Sequence, residues 1–149
     1  MPPRISVIVP IYNAASTLRA AVQSILTQDI AGLEVLLVDD GSTDATPGLC
    51  HDLALRDDRI QVITQKNAGI CAARNRGLSV AEGMYVTCCD DDDLLLPGAL
   101  ALLLQKAEDT GADIVRADYE LIHISPDGTE TPQPHPGGTA CDLAADGDY

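Results

Sequence analysis

With 149 residues, the chain can build one modest domain around a single core. Hydrophobic residues make up 46% and charged residues 21%, too apolar a balance for a disordered segment. The 23 acidic residues against 9 basic ones give a formal charge of −14, which argues against nucleic acid or an anionic membrane surface as a general partner.

Ile5-Ser6-Val7-Ile8-Val9 is a β-branched run closed by Pro10 and predicts a buried strand. Ser16 or Thr17 can cap a following helix whose apolar face is Leu18, Ala21, Val22, Ile25 and Leu26. Leu33 to Val38 predicts a second strand, stopped by Asp39-Asp40-Gly41-Ser42, after which Thr43 or Asp44 caps a helix carrying Leu49, Leu53 and Leu55. Ile60 to Ile63 is a third strand, and Asn67-Ala68-Gly69 turns the chain into a helix from about Ile70 to Val80. Met84 to Cys89 is a fourth strand, and Pro97 opens a helix from Gly98 to Asp109. Ala112 to Ile124 reads as a fifth strand, with Ser125-Pro126-Asp127-Gly128 as a turn.

Four strand–helix alternations predict βαβ crossovers, hence an α/β domain with a mainly parallel sheet covered by helices on both faces. The expected domain is residues 1–124. Residues 125–149, rich in Pro and Gly, read as a hairpin followed by loop, with disorder as the alternative. Ligands of such sheets bind beyond the carboxyl ends of the strands, and every polar motif of the chain begins where an apolar strand stops.

Five cysteines without CxxC spacing make a zinc cluster or a disulfide framework improbable. Cys88 and Cys89 are expected as small buried hydrophobes on opposite faces of a strand. No apolar stretch reaches membrane-spanning length and the N-terminus does not read as a signal peptide, so a cytoplasmic location is expected, with contact at the inner membrane face as a variant. With four Tyr and no Trp or Phe, the chain offers no stacking platform for single-stranded nucleic acid.

The acidic run Asp90-Asp91-Asp92-Asp93 has no value for stability alone, because packed like charges repel one another unless a cation or hydrogen-bond donors compensate them. Carboxylates are hard ligands, and a Mg²⁺ site typically combines one or two of them with substrate phosphates. A solvated acidic turn is the simpler alternative. Asp39 and Asp40, before the Gly41 turn, can accept hydrogen bonds from a base N–H or ribose hydroxyls, although Thr43 and Asp44 serve equally as helix caps. Asn67-Ala68-Gly69 opens a helix that places Arg74 one to two turns in, where helix amides and a guanidinium suit phosphate oxygens. Neither GxxxxGK[ST] nor GxGxxG is present.

Taken together, Val7 to Asn13, Val38 to Asp44, Asn67-Ala68-Gly69 with Ala73-Arg74-Asn75, and Asp90 to Asp93 with Pro97 resemble the family 2 glycosyltransferases of GT-A fold over about residues 4–124. The resemblance implies that Asp39 and Asp40 contact base and ribose, that Pro10 and Tyr12 line the pocket with Asn67 nearby, and that Arg74 lies by the diphosphate. It maps the DxD-type motif onto the acidic run, with Asp90 and Asp91 near the nucleotide sugar, and Asp92 and Asp90 as ligands of Mg²⁺ or Mn²⁺. Asp91 stands where that family usually has a small residue.

The implied reaction is inverting transfer of a sugar from a nucleotide diphosphate to a hydroxyl of a glycan or lipid-linked acceptor. That family places the general base well downstream of the DxD motif. The base is therefore expected beyond Tyr149, this segment alone is expected to be catalytically incomplete, and an open sheet edge predicts self-association. The rivals are a non-catalytic nucleotide-sugar-binding module and a metal-dependent phosphoryl-transfer enzyme. The second has no Lys or Ser/Thr placed among the carboxylates.

Overall fold

The computed structural model of the chain describes residues 3–135. Four strands, β1 (Ile5–Ile11), β2 (Leu33–Asp39), β3 (Ile60–Thr64) and β4 (Tyr85–Cys88), form a parallel sheet in the order β3-β2-β1-β4. Helices α1 (Leu18–Leu26), α2 (Thr46–Ala54), α3 (Ile70–Leu78) and α4 (Ala99–Thr110) alternate with them. The chain divides into two compact units within α4, one ending at Gln105 and the other beginning at Lys106.

Every residue of β1 and β2 is buried, which is why both strands read as continuous apolar runs instead of alternating ones. On one face Val7, Val9, Val35 and Leu37 pack with Leu18, Val22 and Ile25 of α1, Cys50 and Leu53 of α2, and Leu100 and Leu104 of α4. On the other, Ile8, Leu36 and Val38 pack with Ala73 of α3. Gly77 allows that contact to be close, since a Cβ there would fall 2.5 Å from the Ile8 side chain. A glycine that weakens helix propensity is thus exchanged for tight helix–sheet packing.

The structure corrects several details. β1 continues through Pro10 to Ile11 instead of ending before it. Its pairing with β4 stops at Ile8 and Cys88, and the Ile8 carbonyl on that side accepts from Cys89 N at 3.0 Å, so the missing Pro10 N–H falls beyond the ladder. Leu55 lies outside α2 and is 73% exposed. Cys88, on the edge strand, is exposed while Cys89 is buried. The fifth strand, β5 (Tyr119–Ile124), begins later than the apolar pattern from Ala112 implies, and it pairs antiparallel with β6 (Glu130–His135) in a separate two-stranded sheet. The hairpin thus starts before Ser125, and the turn expected at Ser125 to Gly128 joins its two strands.

Candidate nucleotide-binding rim

Four loops at the carboxyl ends of β1 to β4 are joined in pairs by hydrogen bonds between residues far apart in sequence. Asn13 holds the first two loops together, with its N–H donating to Ser42 Oγ at 2.9 Å and its Oδ1 accepting from Thr43 N at 2.8 Å. Its φ of 53° lies in the left-handed region that Asn tolerates better than most residues. Behind it, Ala14 N donates to Thr46 Oγ1 at 2.9 Å. Asp44 Oδ1 accepts from Thr46 N at 2.9 Å, and these bonds with Thr46 draw the Asp44 carboxyl below its usual range.

The aspartate pair that ends β2 is buried, with Asp39 1% and Asp40 4% exposed. Asp39 Oδ1 accepts from Ser42 N at 3.0 Å and closes the turn. Asp40 reaches to the next loop. Its Oδ1 accepts from Gln65 Nε2 at 2.7 Å and from Ala68 N at 2.9 Å, and its Oδ2 from Gly69 N at 2.8 Å. Burial alone would push this carboxyl up, but the three hydrogen bonds prevail and hold it below the usual value. Gly41 follows with φ of 77°, and a Cβ on it would lie 2.9 Å from Asn67 N. The close approach that Gly41 permits is therefore made by the chain's own backbone.

The acidic run differs. Asp91 Oδ2 accepts from Tyr12 N at 3.2 Å, which ties the run to the first loop. Asp90 Oδ1 accepts from Arg74 Nη2 at 2.7 Å across from α3, with both side chains a little over a third exposed. That bond raises the Arg74 pKa, the more so because Asp90 is charged. Asp91 and Asp93 are pushed up from the usual range first by burial, then by repulsion from Asp92 and Asp90. Burial also drives the neighbouring Cys89 thiol up to about 12, with Asp93, Asp90 and Asp92 adding to it. Arg74 Nε is a buried donor without a hydrogen-bond partner among the described residues, a feature that a ligand atom would satisfy.

Of the expected residues, Tyr12, Asp40, Asn67, Asp90, Asp91 and Asp92 lie in these loops, Pro10 and Asp39 near the ends of β1 and β2, and Arg74 on α3 with its guanidinium on Asp90. Pro10 is buried in β1, whereas Tyr12, Asn67 and Asp92 are exposed. Asn13, Ser42, Thr46 and Gln65 also build the rim without having been singled out as site residues. Asn13, Ser42 and Gln65 belong to the polar stretches that follow the strands, whereas Thr46 carried no such signal. Asp127 and Glu130 lie in the second unit, and Asp142, Asp146 and Asp148 fall outside the described residues. Among the described residues, no group of three or more His, Cys, Asp and Glu could hold a metal ion by itself. No helix among them is long and apolar enough to cross a membrane.

A parallel sheet with its polar loops gathered at the carboxyl ends of the strands defines an open α/β fold, whose ligands bind at that rim. The family model "Glycosyl transferase family 2" matches residues 6–138, and the chain belongs to that family. It is 42% identical over 114 residues to the GalNAc(5)-diNAcBac-PP-undecaprenol beta-1,3-glucosyltransferase of Campylobacter jejuni, covering 75% of this chain and 37% of that protein. Among solved structures it resembles S. aureus TarS 1-349 in complex with UDP-GlcNAc, with TM-score 0.66, 30% identity, and 76% of this chain and 33% of that one covered. It also resembles the mannosyltransferase PcManGT of Pyrobaculum calidifontis in complex with GDP-Man and Mn²⁺, with TM-score 0.61, 32% identity and coverage of 66% and 30%. The fold is accordingly the GT-A type. The chain spans between 18% and 38% of the length of the first relatives it matches.

Proposed function

We propose that the rim binds a nucleotide-diphosphate sugar and serves the transfer of that sugar, with inversion, to a hydroxyl of a glycan or lipid-linked acceptor. The observation that carries this reading is Arg74, a guanidinium with one arm on Asp90 and a buried unpartnered Nε beside a run of under-compensated carboxylates. Diphosphate oxygens supply the missing acceptor, since guanidinium groups pair with phosphate through two parallel N–H donors. Pro10, Tyr12, Asp39, Asp40 and Asn67 then form the wall for base and ribose. The TarS complex with UDP-GlcNAc, on the same fold, supports a nucleotide sugar as ligand, and the named acceptor of the C. jejuni relative supports a lipid-linked one.

The residues fit a divalent ion that shares its shell with the ligand. Asp92 is exposed and Asp90 adjoins it, and one or two carboxylates with diphosphate oxygens make an ordinary Mg²⁺ or Mn²⁺ site. PcManGT was solved with Mn²⁺ and a nucleotide sugar. When bound, the ion would offset the negative charge that grows on the departing diphosphate. Arg74 acts on that same charge from the α3 side, and Asp91, tied to Tyr12, keeps the first loop against the acidic run. Deprotonation of the acceptor needs a carboxylate base. None of the described carboxylates is assigned that task, so nucleotide binding without turnover is the second reading.

Calorimetry with UDP, GDP and their sugars, each with and without Mn²⁺, tests the proposal. Binding of a nucleoside diphosphate that Mn²⁺ strengthens is expected. Failure of every nucleotide to bind in the presence of Mn²⁺ would overturn it.

A further inference from the structure

The acidic run is fixed at its start by the sheet, where Cys89 N donates to the Ile8 carbonyl at 3.0 Å. Within the run the turn closes on itself, with Asp93 N donating to the Asp90 carbonyl at 3.1 Å. Four consecutive carboxylates repel one another, so a turn held only at its start would be free to splay. Its far end is held by a different element. Leu95 N donates to Ser24 Oγ of α1 at 3.1 Å, and the Leu95 side chain packs on the core. Gln28, two residues past α1 and 2% exposed, reaches both sides of Pro97. Its Nε2 donates to the Leu96 carbonyl at 3.0 Å, and its Oε1 accepts from Leu100 N at 3.2 Å.

A primary amide is the group that this place needs. Nε2 also donates to the Ser24 carbonyl at 3.1 Å, so two carbonyls face the donor end and one N–H faces the acceptor end. The opposite orientation would set oxygen against two oxygens, and a carboxylate has no proton to give them. Leu100 N lies in the first turn of α4, where an amide has no partner within its own helix, and Gln28 supplies one. Buried and with both amide protons engaged, Gln28 is closed to an incoming ligand.

We propose that Gln28, with Ser24, is a positioning residue for the carboxylates of the acidic run: by holding Leu95, Leu96 and Leu100 against α1 it sets the downstream end of that run, and so the placement of Asp90 and Asp92 toward a divalent ion. The inference rests on the metal and nucleotide reading of the rim for its ligand and on the hydrogen bonds alone for its structural half.

Two measurements on the full chain test it, with Gln28→Leu as the main variant and Ser24→Ala as the milder one should the first fail to fold. In the absence of ligand and metal, amide hydrogen exchange at Leu95 and Leu100 is followed against Leu36 in the core strand β2. In Gln28→Leu exchange at Leu100, and in Ser24→Ala exchange at Leu95, is expected to quicken at least about tenfold more than at Leu36. Equal quickening at all sites, as from a general loss of stability, or none at all would overturn the inference. Calorimetry then compares UDP and GDP affinities with and without Mn²⁺. Gln28→Leu is expected to cut the gain in affinity that Mn²⁺ gives by about tenfold, as for other partners that orient metal ligands, and to leave affinity without Mn²⁺ within about twofold. In the Asp92→Asn background the same substitution is expected to change nothing further, because coupled residues are not additive. An undiminished gain, or an equal loss with and without Mn²⁺, would overturn the inference. If Mn²⁺ gives the native chain no gain, the metal reading fails and takes the carboxylate half with it, while the exchange result still decides whether Gln28 and Ser24 hold the segment.

Discussion

Two groups of aspartates lie on one rim and are treated in opposite ways. Asp39 and Asp40 are buried; Asp39 Oδ1 holds Ser42 N, and both oxygens of Asp40 are engaged by backbone and side-chain donors of the protein. Asp90 to Asp93 are half-buried or exposed and share one arginine and one backbone amide, and burial with repulsion from Asp92 and Asp90 raises the pKa values of Asp91 and Asp93. A buried carboxylate that already has its donors maintains a shape. A cluster that lacks them is poised for a charge that comes from outside. The comparison separates carboxylates that the protein itself already holds from carboxylates left open to an incoming charge.

The largest expected effect falls on the first group. Asp40→Ala would strand three hydrogen-bond donors, two of them backbone amides, and is expected to destabilise the fold by about 3 kcal/mol, at the upper end for such groups. Urea unfolding measures it. A change within about 0.5 kcal/mol, as for an ordinary surface site, would place Asp40 in the other class.

Next comes Arg74→Gln, which is expected to weaken UDP or GDP by about thirtyfold in calorimetry, as for loss of a charge-assisted bond, while melting within a few degrees of the native chain. A comparable loss of stability would reduce Arg74 to a structural ion pair with Asp90. Asp92→Asn is expected to leave stability within about 0.5 kcal/mol and to abolish the gain in nucleotide affinity caused by Mn²⁺. Retention of that gain would move the ion elsewhere.

The smallest effect is in pH dependence, and its sign differs between the groups. The Asp40 pKa is lowered in the fold, so its contribution is present above the usual aspartate value of 3.8 and is lost as pH falls through the folded value. Asp91 and Asp93 are raised, so they cost stability at neutral pH, and that cost is relieved as pH falls through their folded values and is gone below 3.8. Carboxyl-carbon NMR titration should find Asp40 titrating below 3.8 and Asp91 and Asp93 above it. The reverse order would contradict the contrast.

The sheet was legible because burial on both faces writes itself as unbroken apolar runs, and Leu18, Ala21, Val22 and Ile25 repeat at the spacing of one buried helix face. Boundaries were less so. Pro10 reads as a stop, but the ladder beside it ends first, and the apolar residues after Ala112 resemble a strand before β5 begins. In the site, the positions of the loops followed from the strand ends alone. What the sequence could not convey was the use made of each carboxylate, since Asp39-Asp40-Gly41 suits an incoming ribose as well as it suits Ser42 N or Gly69 N. Only the tertiary arrangement, in which Gln65 and α3 come to meet Asp40, distinguishes them.

The most direct test of a shared cleft is paramagnetic broadening of backbone amides by Mn²⁺ with and without UDP or GDP. With nucleotide present, broadening should be strongest at Asp90 to Asp93 and reach Arg74, and the amides of Tyr12, Asp39 and Asn67 should shift in the same titration. Broadening confined to the acidic run, with the other three unmoved at saturating nucleotide, would contradict the account.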